Sequence, residues 1–194
     1  MTGKTMIVGL AGGTCSGKST LVAELKKRLE DTYQVHSIMM DMFWQKPGPD
    51  VVAPITRTIY KERNHPDALD QERLFAEFDQ ARLSGDFDVI FIEGLFALHM
   101  DRVRDLLDVR IFVDLQSDER MYRRIKRWMK FGEDMESIVN RYLDTVRFRH
   151  AELVEPTRWH ADVVINGTLE LNKGADILEC YIRQKLTAAD IPSK

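Results

Sequence analysis

Short apolar runs rich in β-branched residues alternate along this chain with segments of helical period, the pattern of a parallel α/β sheet. Residues 6–11 predict a buried first strand. A glycine-rich turn follows, and then a helix over about 17–29, whose apolar positions Leu21, Val22, Leu25 and Leu29 share one face. Further strands are predicted at 35–40, 87–92, 109–113 and 162–165, where the shortness of the runs and their flanking residues favour strand over buried helix. Helical spacing predicts helices near 68–83, 118–129, 136–150 and 172–186. Residues 41–65 hold Pro47, Gly48, Pro49 and Pro54, which break both periods and predict a long loop leaving the second strand. Ligands of parallel sheets bind beyond the carboxyl ends of the strands, so this loop is expected to meet a substrate.

Composition narrows the class. A chain of 194 residues suits one domain with a small mobile appendage, and 44% hydrophobic residues suffice for a core. The formal net charge of -3 argues against a nucleic-acid partner. Cys15 and Cys180 are far apart and form no metal-type cluster, which points to a reducing cytoplasm. The first ten residues lack a secretory core, and no apolar stretch approaches the roughly 20 residues of a membrane helix, so neither export nor membrane insertion is expected.

The sharpest chemical signal is Gly12-Gly13-Thr14-Cys15-Ser16-Gly17-Lys18-Ser19, followed by Thr20, which fits G-x-x-x-x-G-K-[ST] between a predicted strand and a predicted helix. Glycines let the backbone curl so that successive N–H groups face anionic oxygens at the positive end of the helix. Lys18 adds a mobile positive charge for the β- and γ-phosphates, and the Ser19 hydroxyl can complete the shell of a Mg²⁺ ion. Two acids stand directly after apolar strands. Asp41 can accept a proton from a substrate hydroxyl or position it, and Glu93 can hold a Mg²⁺-bound water; the alternative for each is a cap or turn. Arg124 and Arg127 share a helix face and can clamp a transferring phosphoryl group. Lys130-Phe131-Gly132-Glu133-Asp134 predicts a hinge into a lid over about 128–136 that would exclude water. His36, His99, His150 and His160 have no metal-ligand spacing and are expected to be structural or on the surface.

These pieces resemble the uridine kinase and phosphoribulokinase family of P-loop kinases, uridine–cytidine kinases in particular. The matching segments are the phosphate loop, Asp41-Met42-Phe43-Trp44, His65-Pro66-Asp67-Ala68, Ile92-Glu93-Gly94, Arg141-Tyr142-Leu143, Glu155-Pro156-Thr157 and Ala161-Asp162-Val163-Val164-Ile165, in family order over nearly the whole chain. The resemblance implies a five-stranded parallel sheet flanked by helices, ATP as phosphoryl donor (with GTP not distinguished), and Asp41 activating a ribose 5′-hydroxyl. It also implies that Ser19 and Glu93 serve Mg²⁺, that Arg124 and Arg127 grip phosphate and substrate, and that the protein forms an oligomer. Phe43 or Trp44 could stack on a base.

The departures from the family pattern concern the acceptor. The hairpin that uridine kinases insert before the third strand, with its aromatic and histidine contacts to the pyrimidine, is missing, because Leu83-Ser84-Gly85-Asp86-Phe87 runs straight into the strand. The family's Asp before the HPDA histidine is Asn64, the lid lacks its E-R-G-R run, and Arg141 replaces a common Gln. The leading expectation is therefore a kinase of a nucleoside hydroxyl. The alternatives are a kinase of another small alcohol, such as nicotinamide riboside or pantothenate, and a nucleotide-dependent regulatory ATPase. A GTPase switch is disfavoured, because Asn172-Lys173-Gly174-Ala175 lacks the Asp of N-K-x-D.

Overall fold

The computed structural model describes residues 5–168 and 171–189. In chain order its strands are β1 (Met6–Gly12), β2 (Val35–Met39), β3 (Asp50–Val52), β4 (Ile59–Lys61), β5 (Val89–Glu93), β6 (Val109–Asp114) and β7 (Val163–Asn166). The α-helices are α1 (Lys18–Leu29), α2 (Gln71–Ser84), α3 (Asp101–Arg104), α4 (Ser117–Met129), α5 (Met135–Arg141), α6 (Arg147–Arg149) and α7 (Asn172–Ala189). Five strands form one parallel sheet in the order β2-β5-β1-β6-β7, as the alternating pattern predicts.

The period of two along each strand sorts side chains onto two faces. Ile7 and Ala11 of β1, Ile90 and Ile92 of β5, and Phe112 of β6 join Leu74 and Phe78 of α2 in one buried cluster. Val8, Leu10, Val89, Phe91, Ile111 and Val113 pack on the other face against Leu21 and Leu25 of α1 and Leu178 and Ile182 of α7. Both faces being covered explains why these strands read as unbroken apolar runs.

Three segments differ from the sequence-based expectation. The stretch 41–65 is not loop throughout, because β3 and β4 pair antiparallel within it, with Val51 opposite Tyr60. Pro47, Pro49 and Pro54 all lie outside that ladder, where a missing N–H costs nothing. The helix expected at 68–83 starts at Gln71, after a 3-10 turn at Pro66–Ala68, because the Asp70 side chain caps it by accepting from the Arg73 N–H. The helix expected at 136–150 is α only over α5 and α6, which are joined and followed by wider π turns at Tyr142–Val146 and His150–Val154. A run into β5 without an inserted hairpin is present as expected: α2 ends on Gly85 at φ +74, and β5 begins four residues later at Val89.

The HPDA segment staples the end of β2. Gln45 N–H donates to the Ala68 carbonyl, Asp70 N–H to the Phe43 carbonyl, and Gln45 Nε2 to the Asp67 and Leu69 carbonyls, all within 3.0 Å. Arg73 Nη2 adds a bond to the Met42 carbonyl at 2.6 Å. These bonds fix where Asp41 and Trp44 stand.

Candidate active site

A cleft of about 730 Å³ opens at the carboxyl edge of the sheet, lined by Thr14 through Thr20, by Asp41 and Trp44 from the turn after β2, and by residues from β4, β5, α4 and α5. Its floor is the phosphate loop. Gly12 at φ +144 and Gly17 at φ +107 take backbone conformations that favour glycine. A Cβ on Gly12 would also collide with the Val113 carbonyl. Gly17 precedes α1, whose first turn carries no acidic residue and no capping side chain, which leaves its N–H groups directed at the cleft. Buried Ser16 has an Oγ with no hydrogen-bond partner among the described residues, a donor suited to an anionic oxygen.

Lys18 is buried and donates to the Gly12 and Gly13 carbonyls at 3.0 Å each. Burial pulls its pKa down, while the carboxylates of Glu93 and Asp41 push it back up. Ser19 Oγ donates to Glu93 Oε1 at 2.6 Å. Burial raises the Glu93 pKa, against the opposing pull of Lys18 and the Ser19 hydrogen bond. A hydroxyl and a carboxylate so joined are the hard oxygen ligands that Mg²⁺ takes, and a cation there would offset the desolvation of Glu93.

Asp41 follows the end of β2 and is brought to Glu93 by sheet register, since Met39 pairs with Glu93 across β2 and β5. Gly94 allows the close approach, because a Cβ there would lie 2.6 Å from the Met40 side chain. Arg124 and Arg127 line the opposite wall with Arg123 and Trp128. Arg124 is buried, donates to Thr14 Oγ1 at 3.2 Å and lies over the Trp128 ring. Trp44, Asn64 and Arg141 line the same cleft as Asp41.

Phe43 does not line the cleft. It is 2% exposed in the core, with Arg73 over its ring, so of the two aromatic residues offered for stacking only Trp44 faces the site. The adjacent residues of the turn after β2 point opposite ways, which spacing alone did not resolve. Lys61 and Arg63, which the sequence did not single out, also line the cleft, as does Glu133, expected only as part of the lid hinge. The pairing of β3 with β4 brings the first two there, and the period-two alternation of Tyr60 and Glu62 against Lys61 and Arg63 would have been the signal.

Behind the loop, Arg120 is buried against Gly13 and donates to the His150 ring, whose Nε2 lies 3.0 Å from Glu155 Oε2. Burial, followed by Arg120 and Lys18, holds the His150 pKa down to about 3, so the ring is neutral, accepting from Arg120 and donating to Glu155. This is the structural histidine that its spacing predicted.

Known proteins carry the same pattern. The model of the "Phosphoribulokinase / Uridine kinase family" matches residues 56–171. A uridine kinase of Macrococcus caseolyticus is 35% identical over 84% of this chain and 88% of its own length. One of Staphylococcus aureus is 34% identical over 83% and 87%. Among solved structures, a Silicibacter sp. TM1040 protein provisionally assigned as a fructose transport system kinase superposes with a TM-score of 0.63 at 20% identity, covering 83% of this chain and 89% of that one. An uncharacterized protein from Eubacterium ventriosum superposes with a TM-score of 0.54 over 92% of this chain and 99% of its own.

Proposed function

This chain belongs to the phosphoribulokinase and uridine kinase family and is a small-molecule kinase, and on that premise we propose that it moves the γ-phosphoryl group of Mg-ATP to a nucleoside hydroxyl. The observation that carries the reading is the meeting of Asp41 and Glu93 at the ends of adjacent strands, both close enough to Lys18 to act on its charge.

The phosphate loop N–H groups, Ser16 and Lys18 bind the triphosphate, and Lys18 neutralises charge that develops on the β- and γ-oxygens. Ser19 and Glu93 would hold Mg²⁺, which would supply positive charge to offset that of the triphosphate. Asp41 accepts the proton of the attacking hydroxyl and aims its oxygen at the γ-phosphorus. The new O–P bond forms as the bond to the ADP oxygen breaks, and Arg124 and Arg127 stabilise the equatorial oxygens meanwhile. The whole chain acts as one kinase domain. The turn of Lys130 to Asp134 between α4 and α5, with Gly132 at φ +84, serves as the lid hinge.

The test is coupled ADP release with Mg-ATP and uridine, cytidine, nicotinamide riboside, pantothenate or no acceptor, for wild type and Asp41→Asn. Turnover with a nucleoside that the variant loses supports the reading. Equal rates with and without every acceptor overturn it, and pantothenate alone as acceptor moves the assignment to another alcohol.

A further inference from the structure

The acceptor end of the cleft is walled by the β3–β4 hairpin. Strand alternation sends Lys61 and Arg63 into the cleft and turns Glu62, between them, the other way. Glu62 is 4% exposed and accepts from Arg149 Nε at 3.1 Å and from the Asn64 N–H at 2.7 Å. Two residues earlier, the Tyr60 hydroxyl donates to Asp144 at 2.7 Å, and Thr56 donates to the same oxygen at 2.8 Å. Two buried carboxylate anchors thus fix the rear of the hairpin to the segment after α5, and its front presents two cations. Arg141 joins them, with its guanidinium over the Tyr60 ring.

The named charges of this half are not all paired with one another. Lys61, Arg63 and Arg141 line the cleft with Asp41 and Glu133, and Lys61 is paired with Asp50 at 2.6 Å. Arg63 has no ion pair among the described residues. A diol on a neutral base offers hydroxyls and amides, which Asn64 can serve, and leaves Arg63 to water. A carboxylate or phosphate would take the planar guanidinium in two parallel hydrogen bonds.

We propose that the acceptor carries a carboxylate or phosphate remote from the hydroxyl it presents to Asp41, and that Arg63, with Lys61 beside it, binds that group. This rests on the kinase reading above and narrows its substrate class. The hairpin does not read a flat base. It reads a charge.

Two measurements test it. In the first, kcat/KM is compared for uridine, orotidine and uridine 3′-phosphate, which share a free 5′-hydroxyl and differ in carrying no anion, a carboxylate on the base or a phosphate on the sugar. At least about a tenfold preference for one anionic member is expected, with that preference lost in Arg63→Gln. The member preferred identifies the anion. Uridine equal to or better than both overturns the proposal while leaving the nucleoside kinase intact. In the second, inorganic phosphate is titrated by calorimetry into protein saturated with Mg²⁺ and a non-hydrolysable ATP analogue, so that the triphosphate site is filled. One phosphate is expected to bind, with affinity reduced at least about tenfold in Arg63→Gln and Lys61→Gln. Both positions are exposed, and melting curves check that the variants fold. If none of the three acceptors is phosphorylated, the nucleoside reading fails, and the phosphate titration alone decides the inference. An absent or variant-independent phosphate site overturns it.

Discussion

At the residue scale the site is a set of charges whose burial decides what each can do. Asp41 stands exposed at the mouth of the cleft, free to exchange a proton with a substrate, whereas Glu93 is buried and tied to Ser19. That difference supports the base role proposed for Asp41. Asp41→Asn should lower kcat by about 10²–10⁴-fold while a titration with a non-hydrolysable ATP analogue gives unchanged affinity; weakened nucleotide binding would instead make Asp41 part of the donor site. His150 makes a second prediction at this scale. Its folded pKa of about 3 lies below the ordinary 6.5, so on acidification the unfolded chain takes up a proton before the folded one does. Stability therefore falls as pH drops through that window. The nearby Glu155 carboxylate partly opposes the effect, and the rise of the Glu93 pKa works in the reverse direction. The difference between wild type and His150→Gln isolates the imidazole: wild type should lose about 1–2 kcal/mol more than the variant between pH 7 and pH 5 in denaturant titrations. Parallel curves would show that His150 is charged in the folded state.

At the element scale the arrangement depends on two close approaches. β2 and β5 end together because Gly94 leaves room for Met40, so Gly94→Ala must push apart the strand ends that carry Asp41 and Glu93. The expected result is a loss of kcat of at least about tenfold with a fold that remains intact by circular dichroism, since displacements near 1 Å at the chemistry are costly. Wild-type turnover would show that Met40 repacks without moving Asp41. The hairpin depends on Asp144, 8% exposed and accepting two hydroxyls. Asp144→Ala should cost about 1–3 kcal/mol of stability and raise the acceptor KM more than that of ATP. An equal rise in both would mean that the anchor serves the whole cleft. How much was legible in the sequence also divides at this scale. The sheet strands and α1 were readable because each buries a period-two or period-3.6 face. The hairpin was not, because its three-residue strands lie in a proline-rich stretch and are held by tertiary anchors, Tyr60 to Asp144 and Arg149 to Glu62, that lie 84 and 87 residues apart. The inward turn of Phe43 escaped notice for a related reason. Consecutive residues of a 3-10 turn differ in direction by amounts that no strand or helix period encodes.

For the molecule as a whole, the strand order β2-β5-β1-β6-β7 puts the phosphate loop at the centre of the sheet edge, flanked by the carboxylate-bearing ends of β2 and β5 on one side. Motifs spread over the sequence thereby converge, which is why the donor half was readable from short patterns while the acceptor half needed the path of the hairpin. Convergence would also make a bound nucleotide a structural cross-link. Held at the phosphate loop, it would join the start of α1, which packs in one core cluster, to strand ends that pack in the other, and its binding would raise global stability by mass action. At a hundredfold excess over Kd the gain is about 2.7 kcal/mol, which for a chain of this size shifts the melting temperature by several degrees. Glu93 is close to Lys18 and bonded to Ser19, both of the phosphate loop, so under the proposed metal site the metal-dependent part of that gain would pass through its carboxylate. ATP with Mg²⁺ should therefore raise the melting temperature of wild type more than ATP with a chelator does. In Glu93→Gln, which keeps the shape and removes the charge, the two curves should coincide. If the variant retains the full Mg²⁺ increment, the metal is held elsewhere and the pairing of Ser19 with Glu93 is structural only.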